Sequence, residues 1–154
     1  MKTITALIAG ILLCLMATAV HAKDNFQTHC NGFKEVPSVD SFGLCQAVFN
    51  LSEDGTGLQY KLIVANLESV TQSHIHLAPA GQNGGVVAFL FGFVPQGVTV
   101  DGILAQGVLT DGDLIGALAG MTIADLVAEL ESGDAYVNVH TQNVPSGEVR
   151  GQIR

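Results

Sequence analysis

The sequence predicts an all-β fold, an antiparallel β-sandwich or barrel with one short helix. Apolar and polar residues alternate in several short segments, as they do in strands with one buried face. Glycine-, asparagine- and proline-containing turn signals separate these segments roughly every ten residues, which suggests about six to eight strands. Only one segment spaces its apolar residues as a helix does. The chain has 154 residues, enough for one domain with a proper core.

The first 22 residues are expected to be a secretory signal peptide and not part of the fold. Lys2 supplies a positive charge ahead of an apolar run, and Val20-His21-Ala22 places small residues three and one positions before the expected cut. The run is short for a bilayer span, which needs roughly 20 residues. Cleavage after Ala22, or alternatively after Ala19, leaves a mature domain of about residues 23–154. That domain is expected to be secreted, or periplasmic if the source is a Gram-negative bacterium.

The charge balance bears on possible partners. Without the signal segment, five Lys/Arg stand against 14 Asp/Glu, a formal charge of −9. Nucleic acid and anionic membrane surfaces are poor partners for such a surface. A metal cation is a better partner, and another exported protein is a second one to consider. No membrane span is predicted in the mature protein.

The cysteines fit an oxidising compartment. Cys14 leaves with the signal segment, and Cys30 and Cys45 remain as an even pair, so a disulfide is expected. Closing a loop of about 15 residues would stabilise the fold by about 3 kcal/mol in the chain-entropy model. The alternative is that one or both thiols bind copper. His29 lies beside Cys30 and is expected to be a surface residue.

The strands follow from the alternation. Two segments flank Glu53-Asp54-Gly55-Thr56-Gly57, an Asp-Gly turn, and should form a hairpin. A later strand carries a His-x-His pair, and a glycine-rich loop, 79–85, follows it. The predicted strands are 46–51, 58–64, 70–77, 86–90, 98–104 (strand and turn), 105–110, 135–140 and 148–153.

One helix is predicted over about residues 122–132. Thr122-Ile123-Ala124-Asp125 is a T-x-x-D variant of the capping box. The apolar residues after it recur at three- and four-residue spacing, and Gly133 is a natural terminator. The residues of the apolar face are Ile123, Leu126, Val127 and Leu130.

Three histidines predict a metal site. His74 and His76 are one residue apart in a predicted strand, so they point to one face, about 6.6 Å apart. His140, in another predicted strand, would complete a three-imidazole site if the two strands were neighbours. Three imidazoles with an open position suit zinc or copper. Residues expected to hold the rings in place are Ser73, Asn138, Thr141 and Glu148.

Two other interpretations stay open at this point. In one, the histidines instead use their ring nitrogens to satisfy buried backbone groups, in a structural or adhesive interaction module. A third hypothesis is a redox enzyme that uses the same copper, although no substrate pocket is recognisable.

Glu148 and Arg150 lie at i and i+2 of the last strand and are expected to form a structural ion pair, with a catalytic or anion-binding role as the alternative.

Several motifs occur in an order that resembles a known family: Glu35-Val36-Pro37, the strand 58–64, His74-Ile75-His76, Tyr136 to Thr141, and Pro145 to Ile153. Together they resemble the CHRD domain, named for the extracellular protein chordin, from about Phe33 to Arg154. One departure is Leu77, where many members have glycine. The resemblance implies an antiparallel Greek-key/immunoglobulin-like β-sandwich and an exported location, and it gives no reaction.

The sequence as a whole therefore predicts an exported CHRD-type protein. It is expected to bind one copper or zinc ion through His74, His76 and His140, and to be a binding protein more than an enzyme.

Overall fold

The computed structural model describes residues 25–154. The predicted signal peptide, residues 1–22, lies outside the described residues. Within 25–154, no helix is long and apolar enough to cross a membrane.

Eight strands and one α-helix form the described chain, and all strands belong to one antiparallel sheet. The order across the sheet is β5-β4-β7-β8-β1-β2-β3-β6, so the central neighbours come from opposite ends of the chain. The bounds are β1 Asn25–Asn31, β2 Leu44–Leu51, β3 Leu58–Ala65, β4 Val70–Leu77, β5 Gly85–Phe91, β6 Gly102–Leu109, α1 Ile123–Ser132, β7 Ala135–Thr141 and β8 Val149–Gln152.

The sheet curls until it is nearly a barrel. Its edge strands, β5 and β6, approach each other. Across this seam the Tyr60 hydroxyl of β3 donates a hydrogen bond to the Leu90 carbonyl of β5, at 2.8 Å. The all-β antiparallel fold with one helix is thus confirmed. The Greek-key/immunoglobulin-like sandwich is not, because all eight strands pair within one sheet; of the two architectures that the sequence left open, the barrel describes the molecule better.

The predicted hairpin and helix are confirmed. β2 pairs with β3 with Gln46 opposite Ile63, and the four apolar helix residues are all buried in the core. At the start of α1, the Asp125 carboxylate accepts hydrogen bonds from the Thr122 backbone N–H and hydroxyl. Gly133 ends the helix at φ 78°, a conformation that costs glycine little.

Two strand assignments needed the tertiary structure. β1 was not predicted, although its burial alternates and Phe26, Thr28 and Cys30 face the core. Its sequence is mostly polar, so the apolar alternation is weak. Pairing with the neighbouring strands β2 and β8 defines it as a strand. The segments predicted at 98–104 and 105–110 meet in one strand, β6, whose pairing with β3 contains a register shift. Residues 98–101 lie outside it, and Val98 forms an isolated bridge with Val70.

The predicted disulfide is confirmed. Cys30 and Cys45 lie directly opposite each other in β1 and β2, and their sulfurs are bonded. Both thiols are consumed by this bond, so the alternative in which they bind copper does not hold.

Strands β1 and β8 approach each other closely at Gly151. A Cβ on Gly151 would meet the Thr28 hydroxyl and the His29 carbonyl, whereas a Cβ on Gly85 would meet nothing. We expect Gly151→Ala to lower the free energy of unfolding by about 1–3 kcal/mol, since a packed interior has no room for the methyl group. Gly85→Ala is the matched control and should change it little. Urea unfolding of both variants checks this; equal effects would contradict it.

Candidate metal centre

The pairing of β4 with β7 brings the three histidines together. His74 lies opposite Asn138, His76 opposite Tyr136, and His140 opposite Gln72. The residues between them in sequence, such as Ile75 and Val139, belong to the core. The histidine side chains therefore share the other, outer face of the sheet.

The rings lie close enough to share one ion. One nitrogen from each ring lies within 4.8 Å of the other two, and His74 Nδ1 is 3.1 Å from His140 Nε2. A tetrahedral zinc with bonds of 2.0–2.1 Å needs ligand atoms about 3.3 Å apart. The His74–His140 pair already has this spacing, so closing the site requires a modest inward movement of His76.

Two backbone carbonyls fix which ring nitrogens carry protons. His76 Nδ1 lies 3.0 Å from the Gly84 carbonyl, and His140 Nδ1 lies 2.8 Å from the Pro145 carbonyl. A carbonyl oxygen only accepts, so each Nδ1 donates and each neutral ring keeps its lone pair on Nε2. His140 Nε2 then accepts from the Nδ1–H of His74, and the lone pair of His74 is left on its own Nε2.

Two of these lone pairs have nothing to bind. Nε2 of His74 and Nε2 of His76 are buried, and neither has a hydrogen-bond partner in the described chain. Leaving a buried polar atom unpaired costs about 1–3 kcal/mol. A metal ion that replaces the proton between His74 Nδ1 and His140 Nε2 would also give the His76 lone pair its missing partner. The donor set therefore fits a zinc or copper ion.

All three imidazoles are held neutral. Burial, together with the positive charges that His140 and His76 can carry, lowers the pKa of His74 to about 3. Burial also lowers the pKa values of His76 and His140, partly offset by their hydrogen bonds to Gly84 and Pro145. At neutral pH the rings are therefore unprotonated, as metal ligands must be.

Aromatic side chains pack around the rings. Phe89 meets His74 edge to face, with ring centroids 4.5 Å apart. Tyr136 stacks on His76 at 4.8 Å and 9° between the ring planes. The Arg150 guanidinium also lies on the Tyr136 ring, 3.4 Å from its centroid. Its charge is one of the causes of the lowered His76 pKa. Tyr136 is four residues before His140 in the same strand and therefore points to the same face, a sequence signal that could have predicted its position beside the site.

The four residues predicted to support the rings bond elsewhere. Ser73 donates to the Asn138 carbonyl at 2.8 Å, and the Asn138 amide donates to Glu35 at 2.6 Å. Thr141 donates to the Glu148 carboxylate at 2.6 Å, and this bond closes the turn that presents the Pro145 carbonyl to His140. The imidazoles of His76 and His140 instead donate directly to the backbone carbonyls of Gly84 and Pro145. Support of a bound metal by these four residues stays a prediction.

The expected ion pair between Glu148 and Arg150 is not formed. Glu148 accepts from the hydroxyls of Ser41 and Thr141. Arg150 donates to oxygens of Asn83, Pro79 and Gln152. The ion pair was expected because residues at i and i+2 of a strand point to the same face of the sheet. However, Glu148 precedes β8, where the backbone leaves the regular strand, so its carboxylate turns toward the turn after β7.

Glu35 is a site neighbour that spacing could not reveal, because it is 103 residues from Asn138. It lines a cavity of about 310 Å³ together with His76, Tyr136 and Asn138. Burial raises its pKa to about 7, against the opposing effect of the positive charge on Arg150. The only sequence signal was its place in the Glu35-Val36-Pro37 motif.

The family model for the CHRD domain matches residues 26–153, nearly all of the described chain, so this protein belongs to the CHRD domain family. Searches of curated proteins and of solved structures found no match.

The lowered imidazole pKa values predict a pH dependence in the metal-free protein. Unfolding returns His74 to a pKa near 6.5, whereas the folded value is about 3. As pH falls below 6.5 the unfolded chain binds protons that the fold does not, so the free energy of unfolding falls toward pH 3. Glu35 acts in the opposite sense, because its folded pKa is the higher one.

The His74 contribution is isolated by comparing wild type with His74→Gln. On acidification from pH 7 to pH 4, the free energy of unfolding of wild type should fall relative to that of His74→Gln. Urea unfolding with chelator present measures both. A difference independent of pH would contradict this prediction.

Proposed function

We propose that this protein is an exported CHRD-domain protein that binds one copper or zinc ion through His74, His76 and His140. Export rests on the predicted signal peptide, on the family and on the disulfide between Cys30 and Cys45. The metal rests on the geometry of the three rings.

The observation that carries the metal proposal is the buried, unpartnered Nε2 of His76 beside the imidazoles of His74 and His140, which share one proton. Burial excludes water from this lone pair, and the lowered ring pKa values exclude protons at neutral pH. A metal ion held by His74 Nδ1, His76 Nε2 and His140 Nε2 would satisfy this lone pair and replace the shared proton, which leaves His74 protonated on its own Nε2.

The ligand types restrict the choice of metal. Within residues 25–154 the group consists of the three imidazoles alone. Neutral nitrogens suit zinc and copper, whereas calcium and magnesium prefer oxygen ligands. Three protein ligands leave a further position for water or a partner molecule. When bound, the ion would supply a Lewis acid or, for copper, a one-electron redox centre.

Metal retention tests the proposal. The purified protein is stripped with chelator, incubated with Cu²⁺ or Zn²⁺, freed of excess metal and analysed for metal content. We expect about one equivalent in the wild type and loss of nearly all of it in His74→Ala/His76→Ala, since one ring alone cannot hold the ion against buffer. His29→Ala removes an exposed histidine outside the site and should retain the metal.

Circular dichroism must show that the double variant is folded. Metal bound equally by the double variant, or by neither protein, would overturn the proposal. Consumption of superoxide by the copper-loaded wild type, absent from the double variant, would move the assignment to a redox enzyme.

A structural role is the second candidate, and one observation favours it. The rings of His76 and His140 bond the carbonyls of Gly84 and Pro145, and so tie two loops to the sheet. In that case the histidine variants lose stability in chelator as much as in metal. Under the metal proposal, zinc raises the thermal midpoint of the wild type and leaves that of the double variant unchanged.

Export has its own test. We expect the protein recovered from the periplasm or medium of an expressing bacterium to begin at Lys23, or at Val20 if the cut follows Ala19. Intact-mass and N-terminal analysis checks this. Recovery of uncut protein only from the cytosol would contradict it.

A further inference from the structure

A second cavity lies beside the metal centre, against strands β1 and β8. Its volume is about 630 Å³, within the range of about 300–1,000 Å³ that small-molecule sites occupy. Glu35 and Val36 line both this cavity and the smaller one that reaches His76. The larger cavity is therefore next to the histidines but separate from them.

Positive charge is concentrated in this cavity although the chain is acidic overall. The formal net charge of the protein is −8. Residues 25–154 contain four lysines and arginines, and three of them, Lys34, Arg150 and Arg154, line the cavity. The fourth, Lys61, is exposed on β3. Cations gathered around one concave surface attract anions.

Arg150 is the least expected of these cations, because it is only 1 % exposed. Its hydrogen bonds in the described chain go to neutral oxygens of Asn83, Pro79 and Gln152. The acidic group that acts on it is Glu35, whose carboxylate is bonded to Asn138 instead. A buried guanidinium usually has an ionised partner. Arg150 therefore lacks the full counter-charge that its burial calls for.

The rest of the cavity wall is mixed, with an apolar part beside the polar side chains of Gln27, Thr28, Glu35 and Gln152. Phe33 is 75 % exposed and borders the cavity with Val36 and Ala80. A phenyl ring left in water beside a cluster of cations is suited to a ligand that carries an apolar body as well as a negative group.

We propose that this cavity binds a small organic carboxylate, with the carboxylate near Arg150, Lys34 and Arg154 and the apolar body against Phe33. The planar guanidinium of Arg150 matches the two oxygens of a carboxylate. This binding does not require the metal, and so the proposal stands or falls separately from the three-histidine site.

Benzoate and its neutral analogue benzamide are the probes. The wild-type protein, stripped of metal and freed of chelator, is titrated with each probe and followed by amide NMR. We expect benzoate to give saturable shifts at Gln27, His29 and Phe33, and benzamide to bind at least about tenfold more weakly, because it lacks the charge.

Single substitutions locate the binding. Lys34→Gln and Arg154→Gln should each weaken benzoate binding by about threefold to tenfold, since each removes one cation from the cavity. Lys61→Gln removes one cation from elsewhere and should change it by less than about twofold. All three side chains are exposed, so these variants are expected to fold.

Three results would overturn the proposal. One is no saturable shift with benzoate in a folded protein. Another is equal affinity for benzamide, which would make the cavity an apolar site only. The last is equal weakening in the Lys61→Gln control, which would reduce the effect to overall charge.

Discussion

The hydrogen-bonded pairing of β4 with β7 is the constraint on which the candidate site depends. β7 begins 58 residues after β4 ends, yet the two strands are neighbours in the sheet. Antiparallel register sets His74 opposite Asn138 and leaves His140 on the same face, so the three rings converge. A register slip of one residue would send the rings of one strand into the core.

Burial on the outer face then gives the imidazoles their chemistry. Loops cover this side of the sheet, and the carbonyls of Gly84 and Pro145 each take one ring N–H. Because both rings are held by Nδ1, their Nε2 lone pairs point to a shared space. The same burial that lowers the pKa values of the rings leaves two nitrogens unpaired, and this combination favours a cation other than a proton.

Tyr136 and Arg150 connect the two proposed sites. Tyr136 stacks on His76, and the Arg150 guanidinium lies on the same tyrosine ring while it also lines the larger cavity. Glu35 borders both cavities and bonds Asn138. The two proposed sites therefore share packed side chains.

The sequence by itself determined the elements with strong local signals. The hairpin before Ala65, the helix capped by Thr122, the Cys30–Cys45 pair and the parity of the three histidines follow from turn chemistry, capping and period-2 alternation. Only the tertiary structure decided which strands are neighbours. Strand order, the near-closure into a barrel, the polar strand β1 and the real partners of Glu148 depend on contacts far apart in sequence, which local patterns do not encode.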